Sequence, residues 1–198
     1  MLNFTPEQRR RFAEDIDGDY RPKTNKTIVL VGLMGSGKSA LGKRLAVALD
    51  RPLVDSDSHI EEEAGLRIRD IFELNGEAKF REIERKTILK HLRGPAVILS
   101  TGGGAFCNPE TRAAITAHAI SIWLDATPKN LLRRIGNTSS RPLLNTENPL
   151  QTLTDLRQKR LAYYLQAELH VRTGRHSLRL SMKKILNVLE HNSYIEAL

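Results

Sequence analysis

A short stretch near the start of the chain has the composition of a phosphate-binding loop. Residues 32–39 read Gly-Leu-Met-Gly-Ser-Gly-Lys-Ser and match the pattern G-x-x-x-x-G-K-[ST]. Glycines let main-chain N–H groups close around phosphate oxygens, and a helix that follows adds positive charge at its N-terminus. Lys38 is then placed to reach the β- and γ-phosphates of a nucleotide, and the Ser39 hydroxyl to bind Mg²⁺. The alternative is a glycine-rich turn with a chance lysine, which the strand pattern before the loop and the helix pattern after it disfavour.

Two aspartates lie where a second strand is expected to end. Asp55 is the last residue of a predicted strand over 52–55, and Asp57 follows it. Side chains at i and i+2 leave a strand on the same side, and ligands of parallel sheets gather at the carboxyl ends of strands. One carboxylate is therefore expected to serve Mg²⁺ and the other a phosphate acceptor, although N-capping of the next helix would also explain them. A metal triad with His59 is disfavoured because Mg²⁺ prefers oxygen ligands, and His59 is predicted to be an exposed helix residue.

Three other groups have both a functional and a structural interpretation. Arg81 and Glu84 are neighbours on a predicted helix, and general physics favours a surface ion pair over a substrate-binding arginine that a carboxylate orients. The glycines at 102–104 end a predicted strand, which suggests close approach of a ligand to main chain, with a plain flexible loop as the alternative. Arg141 lies in a polar loop, where a solvated charge is the commoner role than closure over a transferring phosphate.

Apolar runs alternate with helical patterns along the chain. Predicted strands cover residues 27–31, 52–55, 95–100, 119–124 and 170–173. Predicted helices cover 40–49, 58–63, 67–92 with a break near 75–76, 108–117, 128–135, 150–169 and 177–189. This alternation, without an internal repeat, predicts an α/β fold of three layers, in which helices flank a five-stranded parallel sheet of the P-loop NTPase type.

The chain divides into an extension and a single domain. Residues 26–198 are predicted to form one P-loop domain, with a mobile lid at about 137–147. Residues 1–25 are polar and arginine-rich, with at most one short helix over 6–16. A flexible tail is favoured for this extension over an arm that docks on the domain.

The composition limits the possible class and location. Hydrophobic residues make up 40% of the 198 residues and charged residues 27%, which is typical of soluble globular proteins. No apolar run approaches the ~20 residues of a membrane span, and residues 1–20 lack the apolar core of a secretory signal. The single cysteine, Cys107, excludes an internal disulfide and fits a reducing compartment. A cytoplasmic location without membrane contact is therefore expected, and a monomer is the default.

The net charge of +8 fits either a nucleic-acid partner or a highly anionic small substrate. The basic residues are spread along the chain, and aromatic residues amount to only 5%, which leaves few platforms for stacking bases. The small substrate is therefore favoured, and no nucleic-acid partner is expected.

Taken together, the motifs resemble those of shikimate kinases, P-loop kinases of the nucleoside-monophosphate-kinase fold class. The resemblance covers roughly residues 26–190. It rests on the P-loop, Asp-Ser-Asp at 55–57, Gly76-Glu77, Phe80-Arg81 with Glu84, Thr-Gly-Gly-Gly at 101–104, Arg-Pro-Leu-Leu at 141–144, and Arg160 with Tyr164. The P-loop alone is shared by many enzyme types, whereas the whole set in this order is far more specific. The resemblance implies MgATP-dependent phosphorylation of shikimate to shikimate 3-phosphate, with release of ADP, in aromatic amino-acid biosynthesis.

The resemblance also implies a role for each nucleotide-side residue. Lys38 would stabilise charge on the transferring phosphoryl group, while Ser39 and Asp55 would hold Mg²⁺ and its water shell. Arg141 would close with the lid onto the phosphates, and Arg134 would stack near adenine. The nucleotide-binding set implied in this way is Gly35, Ser36, Gly37, Lys38, Ser39, Ala40, Arg134 and Arg141.

On the acceptor side, the resemblance assigns Asp57 to the shikimate hydroxyls, with possible help in deprotonating the attacking one. Arg81 and Arg160 would clamp the shikimate carboxylate, and Glu84 would orient Arg81. The glycines that would let main chain pack against the acceptor ring are Gly102, Gly103 and Gly104.

Three departures from the family pattern are visible, and none removes a catalytic group. Ala40 stands where many members carry threonine, Arg160 is not followed by the usual Asn-Pro, and proline is missing after Ser177. Two other hypotheses remain open from the sequence. The first is a related small-molecule kinase acting on gluconate or a nucleotide, and the second is a non-enzymatic P-loop protein that binds nucleic acid.

Overall fold

The computed structural model describes residues 4–137, 142–175 and 177–198. Its helices are α1 Pro6–Ala13, α2 Lys38–Ala48, α3 Ser56–Ala64, α4 Ile68–Arg93, α5 Pro109–His118, α6 Pro128–Ile135, α7 Pro149–Tyr164 and α8 Leu178–His191. Its strands are β1 Tyr20–Pro22, β2 Thr27–Val31, β3 Leu53–Asp55, β4 Ile98–Ser100, β5 Ala119–Asp125, β6 Leu169–Arg172 and β7 Ile195–Ala197. Single turns of 3₁₀ helix cover Ala105–Cys107 and Pro142–Leu144.

The central sheet contains the strands that the sequence predicts. It is five-stranded and parallel, with the order β3-β4-β2-β5-β6. Strand β2 lies in the middle, and all of its residues are buried because helices cover both faces of the sheet. The predicted three-layer α/β fold is thus confirmed. The carboxyl ends of β2, β3 and β4 meet at one edge, which brings the P-loop, Asp55 and the glycines at 102–104 together.

Two apolar clusters fix the helices to the sheet. On one face, Leu30 of β2 packs with Leu45 of α2 and Ile185 of α8. On the other face, Val29 packs in a cluster that includes Leu153 of α7. The helices that follow the P-loop and the later strands therefore rest on a rigid, close-packed support.

Two helix boundaries show how local and long-range forces compete. The predicted break in the helix over 67–92 is confirmed, because Gly76 interrupts α4 with φ 77° and ψ 169°. The prediction that one helix runs over 150–169 is wrong at its end, because α7 stops at Tyr164. Leu169 instead begins β6 and pairs with Ile122 of β5, so strand pairing in the sheet prevails over continued helix.

The N-terminal segment packs on the domain, which differs from the flexible tail that the sequence favoured. Thr5 caps α1 through a capping box, and Phe4, Ile16 and Tyr20 pack against the cluster under α2 and α8. Strand β1 pairs antiparallel with β7 at the other end of the chain. Local sequence patterns predict neither strand, because each pairs with a segment far away in the chain.

A partly buried ion pair joins this segment to the P-loop helix. Arg44 of α2 donates from Nε to Asp15 Oδ2 at 2.6 Å and from Nη1 to the carbonyl of Ala40 at 3.0 Å. Its guanidinium carbon also lies 5.4 Å from the centre of the Phe12 ring. Only 11% of the Arg44 side chain is exposed, so this contact is more than a screened surface pair.

We expect Ile16→Ala to lower the free energy of unfolding by about 1–2 kcal/mol, because it removes apolar contacts with the core. In a chain of this size that corresponds to a decrease in Tm of about 2–8 °C. Arg11→Ala is the matched control, since Arg11 is an exposed residue of α1. Thermal unfolding measures both variants. Equal Tm values for wild type, Ile16→Ala and Arg11→Ala would contradict the docking of this segment.

Candidate active site

The P-loop joins β2 to α2 in a conformation that requires glycine. Gly32, Gly35 and Gly37 have φ values of 140°, 76° and 102°. A Cβ on Gly32 would lie 2.8 Å from the carbonyl oxygen of Leu124, and one on Gly35 would lie 2.9 Å from that of Leu131. Both close approaches are to main chain, which cannot easily move. The sequence therefore specifies a tight loop at the N-terminus of a helix, a geometry suited to anions.

Lys38 and Ser39 are the first residues of α2. The Lys38 ammonium group donates to the carbonyls of Gly32 and Leu33 at 2.7 and 2.9 Å, which keeps it inside the loop. The Ser39 hydroxyl donates to Asp55 Oδ2 at 3.1 Å. Asp55 also caps α3, because its Oδ1 accepts from the main-chain N–H of Asp57 at 3.2 Å. A hydroxyl and a carboxylate oxygen thus lie together beside the loop, a donor set suited to Mg²⁺.

A cleft of about 500 Å³ opens over the P-loop and the carboxyl edge of the sheet. It brings together most of the residues that the sequence predicted for the nucleotide and the metal, and three of those predicted for the acceptor. Those that line it are Gly35, Ser36, Gly37, Lys38, Ser39, Ala40, Asp55, Asp57, Gly102, Gly103 and Arg134. Gly104 belongs to the glycine turn at the end of this cleft, and Arg81, Glu84 and Arg160, which do not line the cleft, lie against that turn.

The glycine turn after β4 is pressed against charged side chains. A Cβ on Gly102 would lie 2.6 Å from Glu84 Oε1 and 2.8 Å from Asp57 Oδ1. A Cβ on Gly104 would lie 2.8 Å from both terminal nitrogens of Arg81. These glycines are ordinary in φ, so a larger residue here would be accommodated by the backbone but would displace the charged side chains. This close approach favours a packed turn over the plain flexible loop that the sequence left open.

Two carboxylates have a buried oxygen atom next to this turn. Glu84 is 2% exposed, and the Asp57 side chain is largely enclosed. Burial, together with the charges of Asp55 and Glu84, raises the pKa of Asp57 from 3.8 to about 6. Burial also raises the pKa of Glu84, although Arg81 opposes that shift. Asp57 Oδ1 and Glu84 Oε1 have no hydrogen-bond partner in the part of the chain that the structure describes.

Arg81 is held by carboxylates from its own helix. Its Nη1 donates to Glu84 Oε2 at 2.7 Å, and its Nη2 donates to Glu77 Oε1 at 3.1 Å. The surface ion pair that general physics favoured is wrong, because Glu84 is buried. An arginine oriented by a buried carboxylate beside a cleft is a costly arrangement, which points to a ligand.

Arg160 reaches the same turn from α7. Its Nη1 donates to the carbonyl of Gly103 at 2.9 Å, and the Tyr164 hydroxyl donates to the same oxygen at 2.5 Å. Tyr164 is buried and stacks on Trp123 with ring centres 5.8 Å apart. Two guanidinium groups, from α4 and α7, therefore face the glycine turn from different sides.

Arg134 holds the P-loop by hydrogen bonds from one side of the cleft. Its guanidinium group donates to the carbonyl of Ser36 at 3.2 Å and to that of Thr173 at 2.7 Å. Thr173 is fully buried, and its hydroxyl donates to the Ser36 carbonyl at 3.1 Å. Sequence reasoning missed Thr173, although a polar residue at the carboxyl end of a predicted strand could have indicated it.

Two other sequence expectations have different outcomes. Arg141 lies outside the described residues. His59 is not the exposed residue that was predicted, because only 18% of its side chain is accessible and its ring lies 4.8 Å from that of His91. Across residues 4–137, 142–175 and 177–198, no group of three histidine, cysteine or acidic side chains forms a metal cluster.

Comparisons with known proteins agree on one family. A sequence model of shikimate kinases matches residues 34–190. A curated shikimate kinase of Caulobacter vibrioides is 44% identical over 174 residues, which cover 88% of this chain and 87% of that protein. The chain belongs to the shikimate kinase family. A shikimate kinase of Bradyrhizobium diazoefficiens is 47% identical over 146 residues, 74% of this chain and 70% of the relative.

Solved structures of this kinase family have the same fold. The shikimate kinase of Acinetobacter baumannii, solved in complex with shikimate, superposes with a TM-score of 0.81 at 36% identity. The alignment covers 86% of this chain and 96% of that structure. The family assignment therefore rests on both sequence and structure.

The raised pKa of Asp57 predicts that Asp57→Asn stabilises the fold in a pH-dependent way. Because the folded carboxyl holds its proton more tightly than the unfolded one, wild-type stability falls as the pH rises from about 4 through about 6. At pH 8 the variant should be more stable by up to about 3 kcal/mol, a Tm increase of up to about 6–12 °C. Near pH 4 the difference should vanish.

Calorimetry across this pH range measures the effect, and Asp19→Asn serves as an exposed control whose difference from wild type should stay flat. A Tm difference between Asp57→Asn and wild type that does not depend on pH would show that folding does not raise the pKa of Asp57.

Proposed function

We propose that this protein transfers the γ-phosphoryl group of ATP to a hydroxyl of shikimate, giving shikimate 3-phosphate and ADP. The observation that carries the acceptor assignment is the arrangement around the glycine turn. Two buried carboxylate oxygens with no described hydrogen-bond partner, Asp57 Oδ1 and Glu84 Oε1, lie beside two guanidinium groups. This set suits a compact ring that carries a carboxylate at one end and hydroxyls at the other.

The guanidinium groups suit the carboxylate of such an acceptor. Planar guanidinium matches a planar carboxylate with two parallel hydrogen bonds, and Arg81 is already oriented by Glu84. Arg160 approaches from α7 and is held against the carbonyl of Gly103. Ligand hydroxyls would donate to the unpartnered oxygens of Asp57 and Glu84, which relieves the cost of burying those oxygens without partners.

The P-loop suits the phosphates of the nucleotide. Main-chain N–H groups of Gly35, Gly37 and the first turn of α2 would surround the β- and γ-phosphates, with Ser36 and Ala40 beside them. Lys38 would exchange carbonyl contacts within the loop for phosphate oxygens. Arg134 would stack near adenine while its nitrogens hold the loop. We further propose that Arg141 closes over the phosphates.

The transfer itself needs positioning more than covalent chemistry. The bond between the acceptor oxygen and the γ-phosphorus forms as the bond between that phosphorus and the β–γ bridging oxygen breaks, and the hydroxyl proton leaves. Asp57 is suited to receive that proton, because its pKa of about 6 leaves it anionic at neutral pH and basic enough to bind a proton. Phosphoryl transfer is loose enough that Asp57 would chiefly orient the attacking hydroxyl.

We also propose that Mg²⁺ accompanies ATP. The Ser39 hydroxyl and the Asp55 carboxylate, 3.1 Å apart, are the oxygen donors that would hold the ion or its water shell. When bound, Mg²⁺ neutralises charge on the phosphates. Without it, Asp55 still orients Ser39 and caps α3, so the site keeps its shape.

A cytoplasmic monomer in which residues 26–198 form the kinase domain accompanies this proposal. None of the helices in the described part of the chain combines the length and apolar character that a membrane span needs. The N-terminal segment then acts as a support on the back of α2.

ADP release from MgATP tests the function most directly, with shikimate, gluconate and a set of nucleoside monophosphates added one at a time. We expect stimulation by shikimate alone, and loss of that activity when Mg²⁺ is chelated. Stimulation by gluconate or by a nucleotide instead would retain the kinase and discard the acceptor assignment. No stimulation by any acceptor, together with salt-dependent binding to nucleic acid, would favour a binding protein.

Gly104→Ala should weaken shikimate binding, because the new methyl group would lie 2.8 Å from the Arg81 guanidinium and displace it. We expect KM for shikimate to rise about tenfold, with KM for ATP and Tm nearly unchanged. Gly94→Ala is the matched control, since its nearest neighbour would be a carbonyl oxygen at an ordinary 3.6 Å. Steady-state kinetics would contradict the acceptor site if both variants had the wild-type KM for shikimate.

A further inference from the structure

An ion pair anchors α7 to the end of the central sheet. Arg157 of α7 donates from Nη2 to both carboxylate oxygens of Asp125, at 3.1 and 3.2 Å, and from Nε to Oδ1 at 3.3 Å. Asp125 is the last residue of β5. The side chains of Arg157 and Asp125 are only 28% and 15% exposed, so water screens the pair poorly. Neither residue belongs to the site described above.

The pair lies on the same face of α7 as the residues that contact the acceptor turn. Arg157, Arg160 and Tyr164 are spaced at i, i+3 and i+7, which places them along one side of a helix. The first binds the sheet, and the other two donate to the carbonyl of Gly103. This face of α7 is thus fixed at one end to β5 and at the other to the glycine turn.

The surroundings leave α7 little freedom at this point. Arg157, Asp125 and Tyr164 line a single small cavity together with Leu33 of the P-loop and Trp123 of β5. A guanidinium–carboxylate pair with several hydrogen bonds fixes both the rotation of the helix and its position along its axis. Loss of the pair would let α7 turn or slide, and Arg160 would move with it.

We propose that Arg157 is a positioning residue: its ion pair with Asp125 sets the orientation of Arg160 toward the carboxylate of the acceptor. The inference rests on the proposed function, because that function assigns Arg160 to the shikimate carboxylate. Arg157 itself need not touch the substrate.

The contacts of Asp125 also predict that loss of its ion pair with Arg157 affects binding of the acceptor but not binding of ATP. The main-chain carbonyl of Asp125 accepts from the N–H of Thr173 at 2.7 Å, and Thr173 supports the P-loop at Ser36. That support uses main chain on the Asp125 side, so substitutions of the Asp125 or Arg157 side chain leave it in place. ATP binding should therefore remain unchanged.

The test uses Arg157→Met in the full chain, with Lys159→Met, an exposed lysine of the same helix, as the control. Isothermal titration calorimetry gives Kd for shikimate, and steady-state kinetics give KM for each substrate and kcat. We expect Kd and KM for shikimate to rise about tenfold in Arg157→Met, with KM for ATP and kcat at saturating shikimate close to wild type. Lys159→Met should match wild type throughout.

A double variant separates positioning from stability. Arg157→Met alone leaves the Asp125 charge without its partner and lowers Tm, whereas Asp125→Asn combined with Arg157→Met removes that charge and should recover most of the Tm. If KM for shikimate stays raised in the double variant, the positioning role is supported. If KM returns to the wild-type value with Tm, or never rises, the inference is overturned.

The activity of the wild-type protein with shikimate distinguishes a failure of this inference from a failure of the proposed function. Wild type that phosphorylates shikimate, combined with an Arg157→Met variant of normal shikimate affinity, overturns only the role of Arg157. Wild type that is not stimulated by shikimate overturns the proposed function, and the inference falls with it.

Discussion

The acceptor end of the site depends on one constraint, which is that main chain must approach charged side chains without a Cβ in between. At 102–104 the backbone leaves β4 and passes directly against Asp57, Glu84 and Arg81. Because no Cβ intervenes, the carboxylate oxygens can be buried against the turn and still lie beside the space proposed for the acceptor. It also explains why α3, α4 and α7, which contribute one charged side chain each or more, converge on a turn of only a few residues.

The cost of that arrangement falls on stability. A carboxyl whose pKa is raised by burial favours its protonated form, yet the proposed chemistry uses the anion. Burial also raises the pKa of Glu84, and the positive charge of Arg81 offsets only part of that rise. Such groups persist in a fold when the surrounding structure is stable enough to hold them, and here the buried parallel sheet and two apolar clusters provide that support. The charged groups that the proposed function needs at the glycine turn therefore lower the stability of the fold, and the packing of the sheet offsets that loss.

Local patterns account for what the sequence could predict. The P-loop, the break at Gly76 and all strands of the parallel sheet follow from motif spacing, glycine chemistry and apolar runs. Burial of Glu84 did not follow, because an arginine and a glutamate at i and i+3 look the same in sequence whether they are exposed or enclosed. The contacts of Thr173 and of the Asp125–Arg157 pair join segments far apart in the chain, and single-sequence patterns carry no information about such pairing. The same holds for β1 and β7.

The pairing of β1 with β7 has a consequence for how the chain assembles. Arg21 and Glu196 form a hydrogen-bonded ion pair across these two strands, yet they are 175 residues apart in sequence. Closing so long a loop carries a large entropic penalty, so this small sheet should form after the parallel sheet is in place. During synthesis, β1 leaves the ribosome well before its partner β7, since Glu196 follows Arg21 by 175 residues. The α1–β1 segment is then expected to dock last, against the P-loop helix α2. It is also expected to be the first segment to detach by local unfolding.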